Sequence, residues 1–280
     1  MSSPLPRPRT PEGEAGLAAI LRDPGHALIA LDFDGTLAPI VAEPSAVRPH
    51  PAVRPTLQRL ATRVGTLAII TGRPAPAAVD LGGFAGVPGL IVVGQYGWER
   101  WEAGQLTSPP PPSGIAPARA RLPEVLASAG APDGTWVEDK GHALVVHTRR
   151  TAEPQRALQA LATPLARLAE ETGLACEPGR LVIELRPRGI DKGTALHHLV
   201  AERNPVAVLF AGDDLGDLPA FAAVRALRAS GRAGLTVASA SAEVTALADE
   251  ADLVVDGPDG VAALLASLAG ALPAPSSPAR

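Results

Sequence analysis

Residues 26–40 read HALIALDFDGTLAPI, in which the apolar run 27–31 ends in two aspartates, Asp32 and Asp34. Side chains alternate across a strand, so the two carboxylates are predicted to face one space. Two carboxylates in one space repel, which raises the proton affinity of one of them and leaves the other ionised, as acid–base chemistry requires. A strand that ends in an ordinary turn at Gly35 would explain the same residues, so the pair needs support from elsewhere in the chain.

Short, nearly continuous apolar runs recur along the chain. They read ALIAL (27–31), TLAII (66–70), LIVV (90–93), VAVLF (206–210), LTVA (235–238) and DLVV (252–255). Continuous hydrophobicity is typical of parallel strands that are covered on both faces. Helical patterns separate several runs, as in the spacing of Val53, Leu57, Leu60 and Val64. The alternation predicts an α/β fold: a Rossmann-like parallel sheet in a three-layer α/β/α core.

The rhythm changes after the proline-rich connector SPPPPSG at 108–114. Two hairpin patterns follow, one around Gly141 and one around Gly179, with a leucine-striped helical pattern between them. Hairpins with a helix predict an α+β cap domain inserted into the core. We also expect the C-terminal PAPSSPAR to be disordered. The predicted segments are a disordered N-terminus at 1–25, a core of 26–107 and 187–272, and a cap at 108–186.

Composition narrows the classes of function. The formal net charge is −4 over 280 residues, without the basic excess typical of nucleic-acid binding. The single cysteine, Cys176, allows no disulfide framework. The N-terminus lacks a signal-peptide pattern, and the apolar GVAALLASLAGAL falls short of the roughly 20 residues that span a bilayer. We expect a cytoplasmic protein that binds neither nucleic acid nor membranes; its protein partners stay open.

Polar residues gather at the ends of the predicted strands, where open α/β sheets bind ligands. They are Asp32 and Asp34 after the first run, Thr71, Gly72 and Arg73 after the second, and Asp213, Asp214 and Asp217 after the run at 206–210. Several carboxylates at one sheet edge repel one another unless a cation neutralises them. Oxygen ligands of this kind suit Mg²⁺.

Lysine is rare in this chain, because only Lys140 and Lys192 stand among its 25 basic residues. Lys192 lies in the first turn of a predicted helix that Asp191 already caps, where its charge opposes the helix dipole. A bound phosphate would explain the lysine, since phosphate binds at helix N-termini and lysine adds a point charge. With a carboxylate nucleophile, an acid, the Thr71 hydroxyl and a Mg²⁺ site, the inventory favours phosphoryl transfer.

The order DFDGT, ITGR, DKG and GDD resembles the four signature motifs of the haloacid dehalogenase-like hydrolases. The resemblance implies that Asp32 is the nucleophile, which forms an aspartyl-phosphate, and that Asp34 is the general acid and base. It implies phosphate binding by Thr71 and Lys192, and we expect the backbone N–H of Gly72 to complete this phosphate site. The implied Mg²⁺ ligands are Asp32, the main-chain carbonyl of Asp34 and Asp213, with Asp214 and Asp217 in support.

Three further stretches resemble the trehalose-6-phosphate phosphatase family: VEDKGHALVVHTR (137–149), LVIELRPRGIDKGTAL (181–196) and GQYGWERW (94–101). This likeness implies Mg²⁺-dependent hydrolysis of trehalose 6-phosphate to trehalose and phosphate, the final step of trehalose biosynthesis. The implied substrate-binding residues are Glu138, Lys140, His147 and Glu184 in the cap and Arg73 in the core. The chain departs from the family pattern at Tyr96, where a histidine is usual, and at Gly216 and Leu218, which replace a threonine and an acid.

Two other readings stay open at this point. A phosphatase or mutase for sucrose phosphate, mannosyl-glycerate phosphate or mannose phosphate would share the core motifs, so only the cap residues separate these substrates. A phospho-receiver or a non-catalytic binding module would also show an early acidic pair and a later lysine. A receiver, however, carries its phospho-acceptor aspartate after the third strand, where this chain has VVGQYG.

Overall fold

The computed structural model describes residues 4–41, 43–179, 181–240 and 246–273. The chain divides into two compact units: a core unit, which runs up to Ser108 and resumes at Asp191, and a cap unit, Pro109–Ile190. The predicted cap, 108–186, has limits close to these. Apart from its first residue, the tail predicted to be disordered lies outside the described residues.

The core unit alternates strands with helices. Its elements are α1 (Pro11–Arg22), β1 (Ala27–Leu31), α2 (Val53–Ala61), β2 (Thr66–Ile70), α3 (Ala75–Gly82), β3 (Leu90–Gly94), β4 (Glu99–Glu102), β5 (Gln105–Thr107), α6 (Lys192–Arg203), β10 (Ala207–Gly212), α7 (Leu218–Ala229), β11 (Ala233–Ser239), α8 (Ala246–Glu250), β12 (Leu253–Val255) and α9 (Gly257–Ala271). Helices α4 and α5 and strands β6 to β9 lie between β5 and α6 in the chain and form the cap unit.

The strands of the core unit form one sheet of order β12-β11-β10-β1-β2-β3-β4-β5. The strands from β12 to β3 are parallel, and β4 and β5 extend the sheet as an antiparallel hairpin. The predicted α/β fold is confirmed. The hairpin was not predicted, because β4 is only half-buried and β5 is exposed, so neither carries a clear apolar pattern.

Strand β1 shows why the apolar runs are continuous. Leu28 and Ala30 pack with α6, α7 and α8, whereas Ile29 and Leu31 pack with α1, α2, α3 and α9 on the other face of the sheet. Both faces are therefore covered, and every residue of β1 is buried. Each large apolar side chain buried in this way contributes about 1.5–3 kcal/mol. The predicted three-layer arrangement is confirmed.

The apolar stretch near the C-terminus forms α9, whose buried apolar residues pack in the core on the same face of the sheet as α1, α2 and α3. In the part of the chain that the structure describes, no helix combines the length and the apolarity needed to cross a bilayer.

The prediction of a disordered N-terminus is wrong for the described part of residues 1–25. Helix α1 begins after Thr10, whose hydroxyl accepts a hydrogen bond from the N–H of Gly13 at 3.0 Å. Leu17 and Ile20 are buried against the sheet. The apolar face of α1 is shielded from water only by this contact with the sheet. The face is small and is flanked by prolines and charged residues in the sequence, so the sequence pattern did not indicate a buried helix.

Asp252 ties the N-terminal segment to the sheet. Its carboxylate accepts hydrogen bonds from the Thr10 hydroxyl (2.5 Å) and from the N–H and hydroxyl of Thr236 (2.7 and 2.8 Å), and it pairs with Arg228. Its main-chain carbonyl accepts from the N–H of Arg9 at 2.6 Å. Burial acts against the ionised carboxylate, but these donors outweigh it and hold the pKa of Asp252 below its usual range.

The cap unit is an α+β fold, as predicted. Its elements are α4 (Ile115–Ser128), β6 (Trp136–Asp139), β7 (Leu144–His147), α5 (Pro154–Glu171), β8 (Leu174–Gly179) and β9 (Val182–Pro187). The strands form an antiparallel sheet of order β6-β7-β9-β8. Leu144, Val146, Ile183 and Leu185 face α4 and α5 in one apolar core. The residues between them in β7 and β9 therefore point to the opposite face of this sheet.

We expect Asp252→Ala to lower the free energy of unfolding by about 3 kcal/mol at pH 7, because the partly buried guanidinium of Arg228 and the buried groups of Thr236 lose their partner. Urea unfolding of both proteins measures the difference. The exposed Asp249→Ala is the control and should stay within about 0.5 kcal/mol of the parent.

The sign of the pH dependence follows from the depressed pKa of Asp252. The stabilisation is present near neutral pH and is lost as the pH falls below about 4, the ordinary pKa of aspartate, towards the folded-state value. Equal stability of Asp252→Ala and the parent at pH 7 would contradict this account.

Candidate active site

The loop after β1 meets the loop after β10 at the carboxyl edge of the sheet. β1 and β10 are parallel neighbours, and the N–H of Asp32 donates to the carbonyl of Ala211 at 2.8 Å. Gly35 has a φ of +78°, and a Cβ at this position would lie 1.9 Å from Oδ2 of Asp213. Only glycine therefore lets the β1 loop pass this close to Asp213.

Lys192 connects the start of α6 with the loop after β1 and the turn after β10. Its Nζ donates to Oδ1 of Asp32 at 2.6 Å and to Oδ1 of Asp217 at 2.7 Å, and the lysine is only 4% exposed. The side chain of Asp191 caps α6 by accepting from the N–H of Thr194 at 2.7 Å. Lys192 is thus not needed to begin the helix, and its charge is directed at the carboxylates.

Three buried carboxylates converge beside Lys192. One oxygen from each of Asp32, Asp213 and Asp217 lies within 4.8 Å of the others. The Thr36 hydroxyl lies 3.2 Å from Oδ2 of Asp32 and 3.5 Å from Oδ1 of Asp213, so it can donate to either. An all-oxygen, anionic set of this kind suits a hard divalent cation.

Asp217 also holds the loop after β10 in place. Its Oδ2 accepts from the N–H groups of Asp213 and Asp214 at 3.0 and 3.2 Å. The carboxylate of Asp214 accepts from the N–H of Gly216 at 2.9 Å, within the same turn. Of the two residues predicted to support a metal, Asp217 is the one whose carboxylate joins the buried cluster.

The electrostatics of the cluster favour added positive charge. Burial raises the pKa of Asp32, Asp213 and Asp217 to about 7 each; Lys192 opposes this shift, and neighbouring carboxylates add to it. For Lys192, burial favours the neutral amine, but the carboxylates of Asp217 and Asp32 outweigh it and raise its pKa. One ammonium cannot balance three carboxylates, so a proton or a cation relieves the cluster.

Asp34 is bound by Arg73, which the sequence resemblance assigns to the substrate. Nε of Arg73 donates to Oδ2 of Asp34 at 2.6 Å, and Nη2 donates to Oδ1 at 2.7 Å. The main-chain N–H of Arg73 donates to the hydroxyl of Thr71 at 3.1 Å. The structure thus joins Asp34, Arg73 and Thr71 in one hydrogen-bonded set, whereas Asp32 pairs with Lys192.

The turn after β3 supports the loop after β2. The N–H of Gln95 donates to the carbonyl of Arg73 at 2.8 Å, and the N–H of Tyr96 donates to the carbonyl of Thr71 at 3.0 Å. The Tyr96 ring lies against Gly72, since a Cβ on Gly72 would be 2.7 Å from its Cζ and Oη. Tyr96, the departure from the family pattern, therefore packs directly on a predicted phosphate-binding residue.

Sequence reasoning missed Thr36 and Ser239. Thr36 contacts two carboxylates of the cluster, and the Ser239 hydroxyl donates to the carbonyl of Gly35 at 2.7 Å. Ser239 ends the parallel strand β11, so the rule that collected the polar residues after other strands could have found it.

The four predicted substrate-binding residues of the cap form two pairs. Nζ of Lys140 donates to Oε1 of Glu184 at 2.9 Å, and Nε2 of His147 lies 3.0 Å from Oε2 of Glu138. In the cap sheet, Glu138 of β6 and Glu184 of β9 both lie directly opposite Val145 of β7, the strand between them. Both pairs therefore occupy the face of the cap sheet opposite α4 and α5.

Trp136 is a further residue on this polar face that the sequence patterns did not single out. Its ring stacks on His147 with centroids 3.7 Å apart and planes at 5°, and the guanidinium of Arg150 lies 5.2 Å from its centroid. Burial lowers the pKa of His147, and the positive charges of Lys140 and Arg149 act in the same direction, against Glu138. Stacking on Trp136 and the contact with Glu138 fix the position of the His147 ring, and the lowered pKa favours its neutral form.

Comparison with known proteins finds a matching family model and several similar curated proteins. The model of the trehalose-phosphatase family matches residues 30–258. A trehalose-phosphate phosphatase of Mycobacterium avium is 34% identical over 214 residues, which cover 71% of this chain and 52% of that protein. A protein of Sinorhizobium fredii, "Probable trehalose-phosphate phosphatase", is 30% identical over 77% of this chain and 80% of its own length. The chain spans about half the length of the mycobacterial trehalose-phosphate phosphatases that it matches.

Solved structures agree on the fold. The C-terminal domain of Candida albicans trehalose-6-phosphate phosphatase superposes with a TM-score of 0.73 at 22% identity, covering 96% of this chain and 99% of that one. Aspergillus fumigatus trehalose-6-phosphate phosphatase gives a TM-score of 0.67 at 24% identity, with 95% and 99% covered. The family model that matches residues 30–258, together with the Sinorhizobium fredii relative, shows that the chain belongs to the trehalose-phosphatase family.

Proposed function

We propose that this chain is a Mg²⁺-dependent phosphatase that hydrolyses trehalose 6-phosphate to trehalose and phosphate. The observation that carries the proposal is the buried cluster in which Lys192 holds Asp32 beside Asp213 and Asp217. Phosphoryl transfer needs a nucleophile and concentrated positive charge in a site that excludes water. In this buried cluster Asp32 is the candidate nucleophile, and Lys192 with a bound cation would provide the positive charge.

The donor set of the cluster fits Mg²⁺. Carboxylate oxygens of Asp32 and Asp213 would hold the ion, with the main-chain carbonyl of Asp34, while Asp214 and Asp217 support the loop. The raised pKa values of the buried carboxylates support this assignment, because a cation would replace the protons that they otherwise retain near neutral pH. When bound, Mg²⁺ would neutralise charge on the phosphoryl oxygens.

Asp32 is the proposed nucleophile. One of its carboxylate oxygens attacks phosphorus, the bond between phosphorus and the sugar oxygen breaks, and that oxygen takes the proton of the Asp34 carboxyl group. Lys192, the Thr71 hydroxyl and the N–H of Gly72 would hold the phosphoryl oxygens during this step. The products are free trehalose and an aspartyl-phosphate on Asp32.

Water completes the reaction. Asp34, now a carboxylate, takes a proton from the attacking water, whose oxygen bonds to phosphorus while the bond from phosphorus to Asp32 breaks. Phosphate leaves, and both aspartates return to their starting protonation states. The same carboxyl group thus acts as acid in the first step and as base in the second.

The polar face of the cap sheet is the proposed element that recognises the sugar. A disaccharide offers many hydroxyl groups that both donate and accept hydrogen bonds. The charged pair of Lys140 and Glu184 and the pair of His147 and Glu138 offer matching partners. The names of the relatives support trehalose 6-phosphate as the substrate.

Phosphate release from a panel of sugar phosphates tests the function directly. We expect trehalose 6-phosphate to be hydrolysed with the highest kcat/KM in Mg²⁺, and turnover to fall to background when the ion is chelated. Asp32→Asn should lower kcat by at least about 10⁴-fold, because an amide cannot attack phosphorus. A clear preference for sucrose or mannose phosphates would overturn the substrate while leaving the reaction class in place.

Thermal unfolding tests the cation site without any substrate. We expect saturating Mg²⁺ to raise Tm by about 5 °C at pH 8. The rise should be smaller at pH 6, because protons compete for carboxylates whose pKa values are about 7. Asp213→Asn should remove the rise and, without Mg²⁺, should unfold at a higher temperature than the parent at pH 8, since one repelling charge is gone.

The exposed Asp80→Asn is the matched control for that experiment, and it should respond to Mg²⁺ as the parent does. An undiminished Mg²⁺ response in Asp213→Asn would rule out this cation site.

Lys140→Ala tests recognition of the sugar by the cap. We expect KM for trehalose 6-phosphate to rise about 10- to 100-fold, because a charged hydrogen bond to the sugar is lost. The KM for 4-nitrophenyl phosphate, which has no sugar, should change less than about 3-fold by the same reasoning. Arg121→Ala, which removes an exposed ion pair with Glu171 between α4 and α5, is the control and should leave both KM values near those of the parent. Equal losses on both substrates would remove the recognition role of Lys140.

A further inference from the structure

We propose that Arg73 is a positioning residue for the acid step: it fixes the carboxyl group of Asp34 so that its proton reaches the leaving oxygen. The inference rests on the proposed function, in which Asp34 protonates that oxygen. It replaces the substrate-binding role that the sequence suggested for Arg73 with a role exerted through Asp34.

Arg73 and Asp34 form a bidentate ion pair, or fork. Nε and Nη2 donate to the two different oxygens of Asp34, at 2.6 and 2.7 Å. This geometry fixes both the position and the plane of a carboxylate, which a single hydrogen bond does not. The Asp34 side chain is still 34% exposed, against 17% for Arg73, so the carboxyl group keeps an open side.

Arg73 is itself held from several directions. Its Nη1 donates to the carbonyl of Pro44 at 2.9 Å, and its guanidinium lies 5.8 Å from the centroid of the Phe33 ring. Its carbonyl accepts from the N–H of Gln95, and its N–H donates to the Thr71 hydroxyl. A side chain anchored at both its backbone and its far nitrogen can transmit a fixed orientation to its partner.

The fork leaves Asp34 able to carry a proton. A carboxylate offers about four lone-pair positions, and the two N–H groups of Arg73 occupy two of them. A proton on a remaining position can pass to the sugar oxygen as its bond to phosphorus breaks, which leaves Asp34 ionised and the sugar neutral. Fixing the carboxyl plane aims that position, and misplacement by about 1 Å can cost 10²-fold in rate.

This role has a signature that other roles lack. A poor leaving group needs the proton from Asp34, whereas 4-nitrophenolate leaves without it. Loss of Arg73 should therefore harm poor leaving groups selectively. A residue that bound the sugar would not distinguish two phenyl phosphates of nearly the same shape, and a residue that only stabilised the fold would slow both equally.

The experiment compares phenyl phosphate with 4-nitrophenyl phosphate through kcat/KM, which reports the steps up to departure of the leaving group. For Arg73→Ala we expect a loss of about 100-fold with phenyl phosphate and under about 5-fold with 4-nitrophenyl phosphate. Arg73→Lys keeps the charge but not the fork, so its losses should lie between those of Arg73→Ala and the parent. Asp34→Asn should show the same selectivity, and adding Arg73→Ala to it should cause little further loss.

Arg48→Ala is the matched control. Arg48 also donates to main-chain carbonyls of this loop, those of Ser45 and Val47, at 3.1 and 2.7 Å. It takes no part in the proposed chemistry, so both phenyl substrates should react at about the parental rate. Retained activity on 4-nitrophenyl phosphate would show that the Arg73 variants are folded. An unchanged Mg²⁺ concentration for half-maximal activity on this substrate would show that they keep the cation site.

Equal losses on the two phenyl phosphates in Arg73→Ala would overturn the inference, as would full additivity with Asp34→Asn. Neither result depends on trehalose 6-phosphate, because both substrates lack a sugar. If the substrate panel fails while the selectivity between phenyl phosphates holds, the proposed substrate is wrong and the role of Arg73 stands.

Discussion

The ammonium group of Lys192 donates to Asp32 and Asp217 at 2.6 and 2.7 Å, in a cluster that also contains Asp213. A buried ion pair stabilises a fold only when its remaining charges and lone pairs are satisfied. Here Thr36 and two backbone N–H groups satisfy some of the oxygens, but the carboxylates outnumber the lysine. The core unit therefore carries a concentrated negative site that a cation would relieve. This imbalance connects the fold with the proposed chemistry.

The sequence was informative wherever local pattern and position agreed. Parallel strands such as β1 are buried on both faces and read as unbroken apolar runs, and polar residues directly after them must lie at one sheet edge. The sequence pattern was enough to place Asp32 and Asp213 at that edge, whereas Lys192, in the first turn of a helix, was linked to them through the phosphate that it was predicted to bind. The cap hairpins around Gly141 and Gly179 were visible for a similar reason, since turn residues interrupt alternating strands.

Pairings between distant side chains could not be predicted in this way. Arg73 and Asp34 stand 39 positions apart, and nothing in either motif indicates that the arginine forks onto the acid. The sequence did not predict that the N-terminal segment is ordered, because the partner of Thr10 is Asp252, more than 200 residues away. Trp136 was overlooked because its role depends on the strand register that stacks it on His147. Residue types were readable from sequence, whereas long-range partners required the fold.

The central claim is that the carboxylate of Asp32, placed by Lys192, becomes phosphorylated during turnover. Acid quench of the protein reacting with trehalose 6-phosphate in Mg²⁺, followed by borohydride reduction and peptide mass mapping, tests it most directly. We expect an acyl phosphate to form at residue 32, so that reduction converts this aspartate alone into homoserine. Steady turnover with an unmodified residue 32, or with the phosphoryl group on another side chain, would contradict the claim.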